Sequence, residues 1–305
     1  MAGGGSSIFV SAPDGLRLHA RCYGLPRGAG LPVVCLPGLT RTTDDFEALA
    51  LALSSDTARP RRVIALDYRG RGLSDYDREP ANYNIQIELT DVMAVVTAID
   101  ALPAIFVGTS RGGILTMLLA VTHPTAIAGA VLNDIGPVIE PQGLMRIKGY
   151  VGKMPQPRDF DDAALILRRL FDAQFPKLSD ADWLASARRA FKQQNGALAP
   201  TYDVALAKTM EGVDLEKPLP PLWKEFDALA GKPVMVIRGE NSDLLSPATV
   251  AAMRARRPDM EFVEVPDQGH APLLAEPETI ESIADFVRFA GRGQTLKLQL
   301  SQSGR

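Results

Sequence analysis

Short β-rich runs recur along this chain at residues 32–36, 62–66, 104–107, 128–132, 234–237 and 261–265, and each is separated from the next by something longer. Most are nearly unbroken stretches of Val, Ile, Leu and Ala. Such runs suit strands buried on both faces, as the strands of a parallel sheet are. Between them, apolar residues recur at three- and four-residue spacing over 44–53, 85–99, 111–122, 247–256 and 277–289, the spacing of helices with one buried face. The alternation predicts an α/β fold: a mostly parallel central sheet with helices on both faces. Residues 7–11 and 16–23, joined by Pro13-Asp14-Gly15, read as an antiparallel opening hairpin.

One stretch breaks the rhythm. Residues 138–230 contain no convincing buried strand, only helical patterns punctuated by prolines such as Pro141, Pro155, Pro176 and Pro200. This predicts an all-helical insertion, or cap, between two strands of a core formed by 1–137 and 231–290. Residues 291–305 carry three glycines and little periodicity, and are expected to be a disordered tail.

Composition narrows the possible partners. A net charge of −3 provides no basic field, so nucleic acid is not an expected partner. The longest apolar run, 114–121, falls far short of a membrane span, and the first nine residues lack the basic and apolar regions of a signal peptide. A cytoplasmic location with no membrane insertion is the resulting expectation. Cys22 and Cys35 have no metal-ligand spacing around them and read as small apolar strand residues, so neither a metal nor a cofactor is expected.

Gly108-Thr109-Ser110-Arg111-Gly112 lies directly between the run 104–107 and the helical pattern that starts at 111. A turn that sharp leaves no room for side chains at its flanks, hence glycine at 108, 112 and 113, and it presents the Ser110 hydroxyl at its tip. The Arg111 backbone N–H then sits at a helix N-terminus, where it can stabilise an oxyanion. Serine needs a base to become a useful nucleophile. Of the three histidines, His19 reads as a partly exposed hairpin residue and His123 as a residue closing a helix. His270 lies in a loop beyond the last strand, at the sheet edge where open α/β sheets place their sites.

An acid must orient that histidine. Asp243 follows the strand at 234–237 by a short polar loop and is the expected partner. Asp134, after the preceding strand, is the rival, with the exit into the cap as its expected role. The Leu36-Pro37-Gly38-Leu39 loop should bring the backbone N–H of Leu39 to the oxyanion. Asp67-Tyr68-Arg69-Gly70-Arg71-Gly72-Leu73-Ser74 lacks the lysine of a phosphate loop and reads as a structural turn.

Together the 36–39 loop, the 67–74 turn, the 108–113 elbow, Asp243 and Gly269-His270 resemble the α/β-hydrolase superfamily, over about residues 8–288. The chain is most similar in pattern to serine carboxylesterases and lactonases of small acyl substrates that carry a helical cap. The resemblance implies ester hydrolysis through an acyl-enzyme on a Ser110–His270–Asp243 triad, with a small-molecule ester as partner. Members that attack with a carboxylate are set aside by the serine at the elbow. The 36–39 loop departs from the many members that have His-Gly there, but the donor is a backbone N–H. A C–C bond (diketo-acid) hydrolase or a cofactor-free perhydrolase would use the same three residues, and Arg41 or Arg111 could then bind a substrate carboxylate. From another class, a non-catalytic receptor could use the same capped pocket. Large apolar residues of the insertion, including Tyr150, Phe171, Trp183 and Trp223, are expected to shape that pocket.

Overall fold

The computed structural model describes residues 4–26, 30–211 and 219–302. Eight strands form the central sheet: β1 (Ser6–Ser11), β2 (Arg17–Tyr23), β3 (Val33–Leu36), β4 (Val63–Asp67), β5 (Ala104–Thr109), β6 (Ile127–Asn133), β9 (Val234–Gly239) and β10 (Glu261–Val265). A separate hairpin, β7 (Phe191–Gln194) and β8 (Ala197–Pro200), completes the set. The sheet order is β1-β2-β4-β3-β5-β6-β9-β10. β2 runs antiparallel to β1 and to β4, and every other pairing is parallel. The predicted mostly parallel α/β sheet is therefore present, with the hairpin at one edge.

Alternate residues of the central strands serve opposite faces, as the pleat requires. Val34, Leu36, Ile64 and Phe106 join one apolar cluster, which takes in Val92, Val95 and Val96 of α2 (Ile85–Ala98) and Leu115 and Leu119 of α3 (Arg111–Thr122). Val33, Cys35, Val63 and Val107 join the other, with Leu49 and Leu53 of α1 (Glu47–Ser55) and Ile283, Phe286 and Val287 of α10 (Pro277–Gln302). Both faces are covered, which explains why these strands read as continuous apolar runs. Helix α9 (Pro247–Arg256) starts as its sequence requires: Ser246 Oγ accepts from the Thr249 N–H and Pro247 occupies the first turn.

Between β6 and β9 lie α4 (Pro141–Tyr150), α5 (Phe160–Phe171), α6 (Asp180–Ala190), the β7–β8 hairpin, α7 (Lys208–Glu211) and α8 (Trp223–Asp227). The insertion is thus mainly helical but not wholly so. Asn195 and Gly196 both adopt positive φ, which gives the two-residue turn a primed-type hairpin favours. The insertion also has a core of its own, formed by Ala163, Leu167, Phe175, Trp183, Ala187, Phe191 and Leu198. Two further expectations need correction. Helix α10 runs on to Gln302, so residues 291–302 continue a helix, while 303–305 lie outside the described residues. His19 is fully buried, because the β2–β4 register sets it opposite Asp67. Its Nδ1 lies 2.7 Å from Asp67 Oδ2 and its Nε2 2.9 Å from Ser7 Oγ.

The 67–74 turn is held by charge. Arg69 meets Asp91 through two hydrogen bonds of 2.6 and 2.7 Å and also reaches Asp14 and Asp77. Arg71, with no exposed surface, pairs with the equally buried Glu88 of α2 at 2.8 Å, and Glu88 also pairs with Arg111. Burial alone would raise the Glu88 pKa. The guanidiniums of Arg71 and Arg111 outweigh burial and hold it below the ordinary carboxylate value. Removing one partner of a buried pair costs about 3–5 kcal/mol, so Glu88→Gln should lose that order of stability in chemical denaturation at neutral pH. A depressed native pKa stabilises the fold above the unfolded-state value and ceases to as pH falls through the native one. The gap between wild type and Glu88→Gln should therefore narrow in acid.

Candidate functional site

The parallel strands deliver the site residues to one edge of the sheet. Thr109, the last residue of β5, pairs in register with Asn133, the last of β6, so Ser110 and Asp134 leave the sheet side by side. Ser110 adopts φ 50° and ψ −111°, a backbone conformation that L-residues seldom take. The glycines around it answer to contact. A Cβ on Gly108 would fall 2.4 Å from the Gly112 carbonyl oxygen, and one on Gly112 would fall 2.0 Å from that of Leu36. Strand β5, helix α3 and strand β3 can meet this closely only through glycine.

Three side chains form one hydrogen-bonded string. Ser110 Oγ lies 2.9 Å from His270 Nε2, and His270 Nδ1 lies 2.7 Å from Asp134 Oδ2. An ionised carboxylate only accepts, so Nδ1 carries the proton and Nε2 is left free to accept from the serine hydroxyl. Asp134 is fixed in turn: Gly239 N donates to Oδ1 at 2.9 Å, and Ser242 Oγ donates to Oδ2 at 2.6 Å. Asn133 is fully buried and braces both sides, since its Nδ2 donates to Thr109 Oγ1 and to Pro272 O, each at 3.0 Å. The string thus spans the ends of β5 and β6 and the loop after β10.

Asp243, the expected acid, stands elsewhere. Arg146 of α4 takes its carboxylate through two hydrogen bonds of 2.6 and 2.8 Å. Burial pushes the Asp243 pKa up, but Arg146 and Gln174 hold it below the ordinary value. The residue lies four positions beyond the end of β9, far enough along its loop to face the inserted segment. Asp134, at the end of the neighbouring strand, needs no loop to reach His270.

Of the expected oxyanion donors, Arg111 directly follows Ser110 and Leu39 directly follows Gly38, which lies close to Ser110. Arg111 N is the first amide of α3, where no intrahelical acceptor exists. Gly38 approaches until a Cβ placed there would be 3.9 Å from Ser110 Cβ. The Gly38 carbonyl accepts from Arg41 N at 3.2 Å. In a trans peptide this turns the Leu39 N–H the opposite way. The loop is pinned on both sides, by Tyr68 Oη on Pro37 O at 3.2 Å and by Arg71 Nε on Leu39 O at 2.9 Å. The Arg111 side chain is committed to Glu88, which leaves Arg41 of the two arginines weighed for a substrate carboxylate.

A cavity opens above His270 and Thr40, walled by Tyr150, Leu167, Phe171 and Trp183 of the inserted segment. Trp223 is not part of it: its ring packs edge-on to Phe226 and under Arg256. Two residues that pattern reading missed also meet the site. Gln174 Oε1 accepts from His270 N at 3.0 Å, and Arg189 enters the cavity from the end of α6. Neither sits in a motif, and only the docking of the insertion reveals them. His123 is exposed and closes α3, its N–H donating to Leu119 O, while its ring meets Thr122 Oγ1. Among the described residues, no helix is long and apolar enough to cross a membrane, and no cluster of three or more His, Cys, Asp or Glu could hold a metal ion.

Comparison with known proteins agrees with this architecture. The model of the Alpha/beta hydrolase family matches residues 33–282. A 3-hydroxybutyrate-oligomer hydrolase of Cupriavidus necator is 32% identical over 91% of this chain and 96% of its own length. A 2-(acetamidomethylene)succinate hydrolase of Mesorhizobium japonicum is 28% identical over 86% of this chain and 89% of its own. Among solved structures, an alpha/beta hydrolase from Novosphingobium aromaticivorans is 40% identical, superposes with a TM-score of 0.85, and covers 94% of this chain and 99% of its own. With the fold, the elbow and relatives spanning nearly its full length in agreement, the chain belongs to the alpha/beta hydrolase family.

Proposed function

We propose that this protein is a serine hydrolase that cleaves carboxylic esters through an acyl-enzyme, with Ser110 as nucleophile, His270 as base and Asp134 as the orienting acid. The observation that carries the reading is the continuous string Ser110–His270–Asp134 at a glycine-framed elbow. In this scheme Ser110 Oγ bonds to the ester carbonyl carbon while its proton passes to His270 Nε2. The N–H groups of Arg111 and Leu39 hold the developing oxyanion. The carbon–oxygen bond to the alcohol then breaks, and His270 returns the proton to the departing oxygen. A water molecule, deprotonated by the same nitrogen, attacks the acyl carbon and frees the acid and Ser110. Asp134 keeps Nδ1 protonated throughout, so Nε2 faces the serine in its basic form.

The relative from Cupriavidus necator, by its name, acts on oligomers of 3-hydroxybutyrate, whose units are joined by ester bonds, and this supports the ester reading. A C–C bond hydrolase could use the same string, so ester turnover is the discriminating assay. The inserted segment serves as the cap that shapes the acyl pocket, through Tyr150 and Phe171, whose rings meet edge to face with centroids 5.2 Å apart.

An organophosphate should label one serine, and Ser110→Ala should lose ester turnover by several orders of magnitude while remaining folded. Labelling at another serine, or a near-normal rate in the variant, would refute the role of Ser110. Asp134→Asn should lower turnover by up to about ten-thousand-fold, because His270 loses its tautomeric control. Asp243→Asn should instead mainly loosen the contact with Arg146, and a dead Asp243→Asn beside an active Asp134→Asn would reverse the assignment. Replacing Phe171 by Ala should move the preferred acyl length of p-nitrophenyl esters upward with Ser110 labelling intact. An unchanged chain-length profile would place the acyl pocket outside the insertion.

A further inference from the structure

The cavity above His270 is largely apolar, yet two guanidiniums meet at one part of its wall. Arg41 follows the Gly38-Leu39 loop of the core, and Arg189 comes from the end of α6, so the two approach from opposite sides. Among the described residues, one carboxylate stands between them. Asp45 Oδ1 lies 3.1 Å from Arg41 Nη1 and 3.6 Å from Arg189 Nε. The other Asp45 oxygen is already engaged, since Oδ2 accepts from the Thr42 N–H in a helix cap.

The neighbouring acids are committed elsewhere. Asp44 pairs with Arg21 at 2.7 Å, and Asp182 closes the capping box of Ser179 at the start of α6. Arg189 Nη2 finds only the neutral Ser186 Oγ, at 3.0 Å. Elsewhere two arginines are each matched two-pronged by one carboxylate, Arg69 by Asp91 and Arg146 by Asp243. Arg41 and Arg189 share a single-pronged contact with Asp45, which leaves one positive charge in excess at the cavity wall. Burial lowers the Arg189 pKa; Asp45 opposes it, Arg41 adds to it, and Asp44 and Asp182 oppose it more weakly. A planar guanidinium pair is well suited to a carboxylate.

We propose that Arg41 and Arg189 form a carboxylate-binding subsite, so that the preferred substrate is an ester carrying a free carboxylate a short chain away from the scissile bond. This rests on the reading of Ser110 as an ester-cleaving nucleophile. The subsite joins core to insertion, so a bound carboxylate would tie the two together beside His270. A charged hydrogen bond at such a site is worth roughly ten- to a hundredfold in affinity.

Two substrate pairs test it, one for each side of the ester. The first is mono-p-nitrophenyl glutarate against p-nitrophenyl butyrate. The second is the linear dimer of 3-hydroxybutyrate as the free acid against its terminal primary amide. Wild type should prefer the charged member of at least one pair by about tenfold or more in kcat/KM. Arg41→Gln and Arg189→Gln should each bring that ratio towards one, chiefly by raising KM for the charged member. Because each ratio is taken within one protein preparation, partial misfolding of a variant cancels from it. No preference for charge in either pair, or a ratio that neither substitution moves, overturns the subsite while ester hydrolysis stands. Absence of turnover on all four compounds overturns the ester reading itself, and the subsite with it.

Discussion

Glu88 sits in full burial between two guanidiniums, and both halves of the proposed oxyanion site hang from it. Arg71, on one side, holds the Leu39 carbonyl. Arg111, on the other, is the first residue of α3 and follows Ser110 directly. A buried carboxylate is tolerable only when paired this closely. The same pairing fixes two backbone segments, from β3 and β5, at one separation. A preorganised amide pair needs that rigidity, since donors that must move into place lose much of their electrostatic advantage. The charged turn after β4 is therefore a brace for the chemistry without itself touching it.

Much of this was legible in the residues. Glycine at 108, 112 and 113 between a strand and a helix announced the elbow, because a Cβ at 108 or 112 would strike backbone and one at 113 the Ile135 side chain. His270 was readable from its loop beyond the last strand. The aspartate that meets His270 was not, because two aspartates follow adjacent strands and only register separates them. Thr109 opposite Asn133 sets Ser110 beside Asp134, and a one-residue slip would undo it. Nor could the sequence reveal that Asp243 has a partner 97 residues away in Arg146. The β7–β8 hairpin, by contrast, carried a readable signal in Asn195-Gly196, flanked by residues too polar to look like a core strand.

His19 offers an instructive contrast. Ser7, His19 and Asp67 make a string with spacings of 2.9 and 2.7 Å, much like those at Ser110. Asp67, like Asp134, also accepts further donors, here the backbone N–H groups of Thr43 and Leu73, but Ser7 lies within edge strand β1 and does not start a helix as Ser110 does. The second string has the side chains but not the elbow. Side-chain geometry acquires chemical meaning only where the backbone offers somewhere for negative charge to go.

The inserted segment is fastened to the core within a few residues of His270. Gln174 Oε1 takes the His270 N–H, Gln174 O takes Asn241 Nδ2, and Arg146 grips Asp243. Traffic through the cavity and alignment of the imidazole therefore share the same fastenings. Parting the insertion from the core at this point would break the contact that holds the His270 loop. A change at Gln174 would act on the seating of the insertion and on the aim of the imidazole at once.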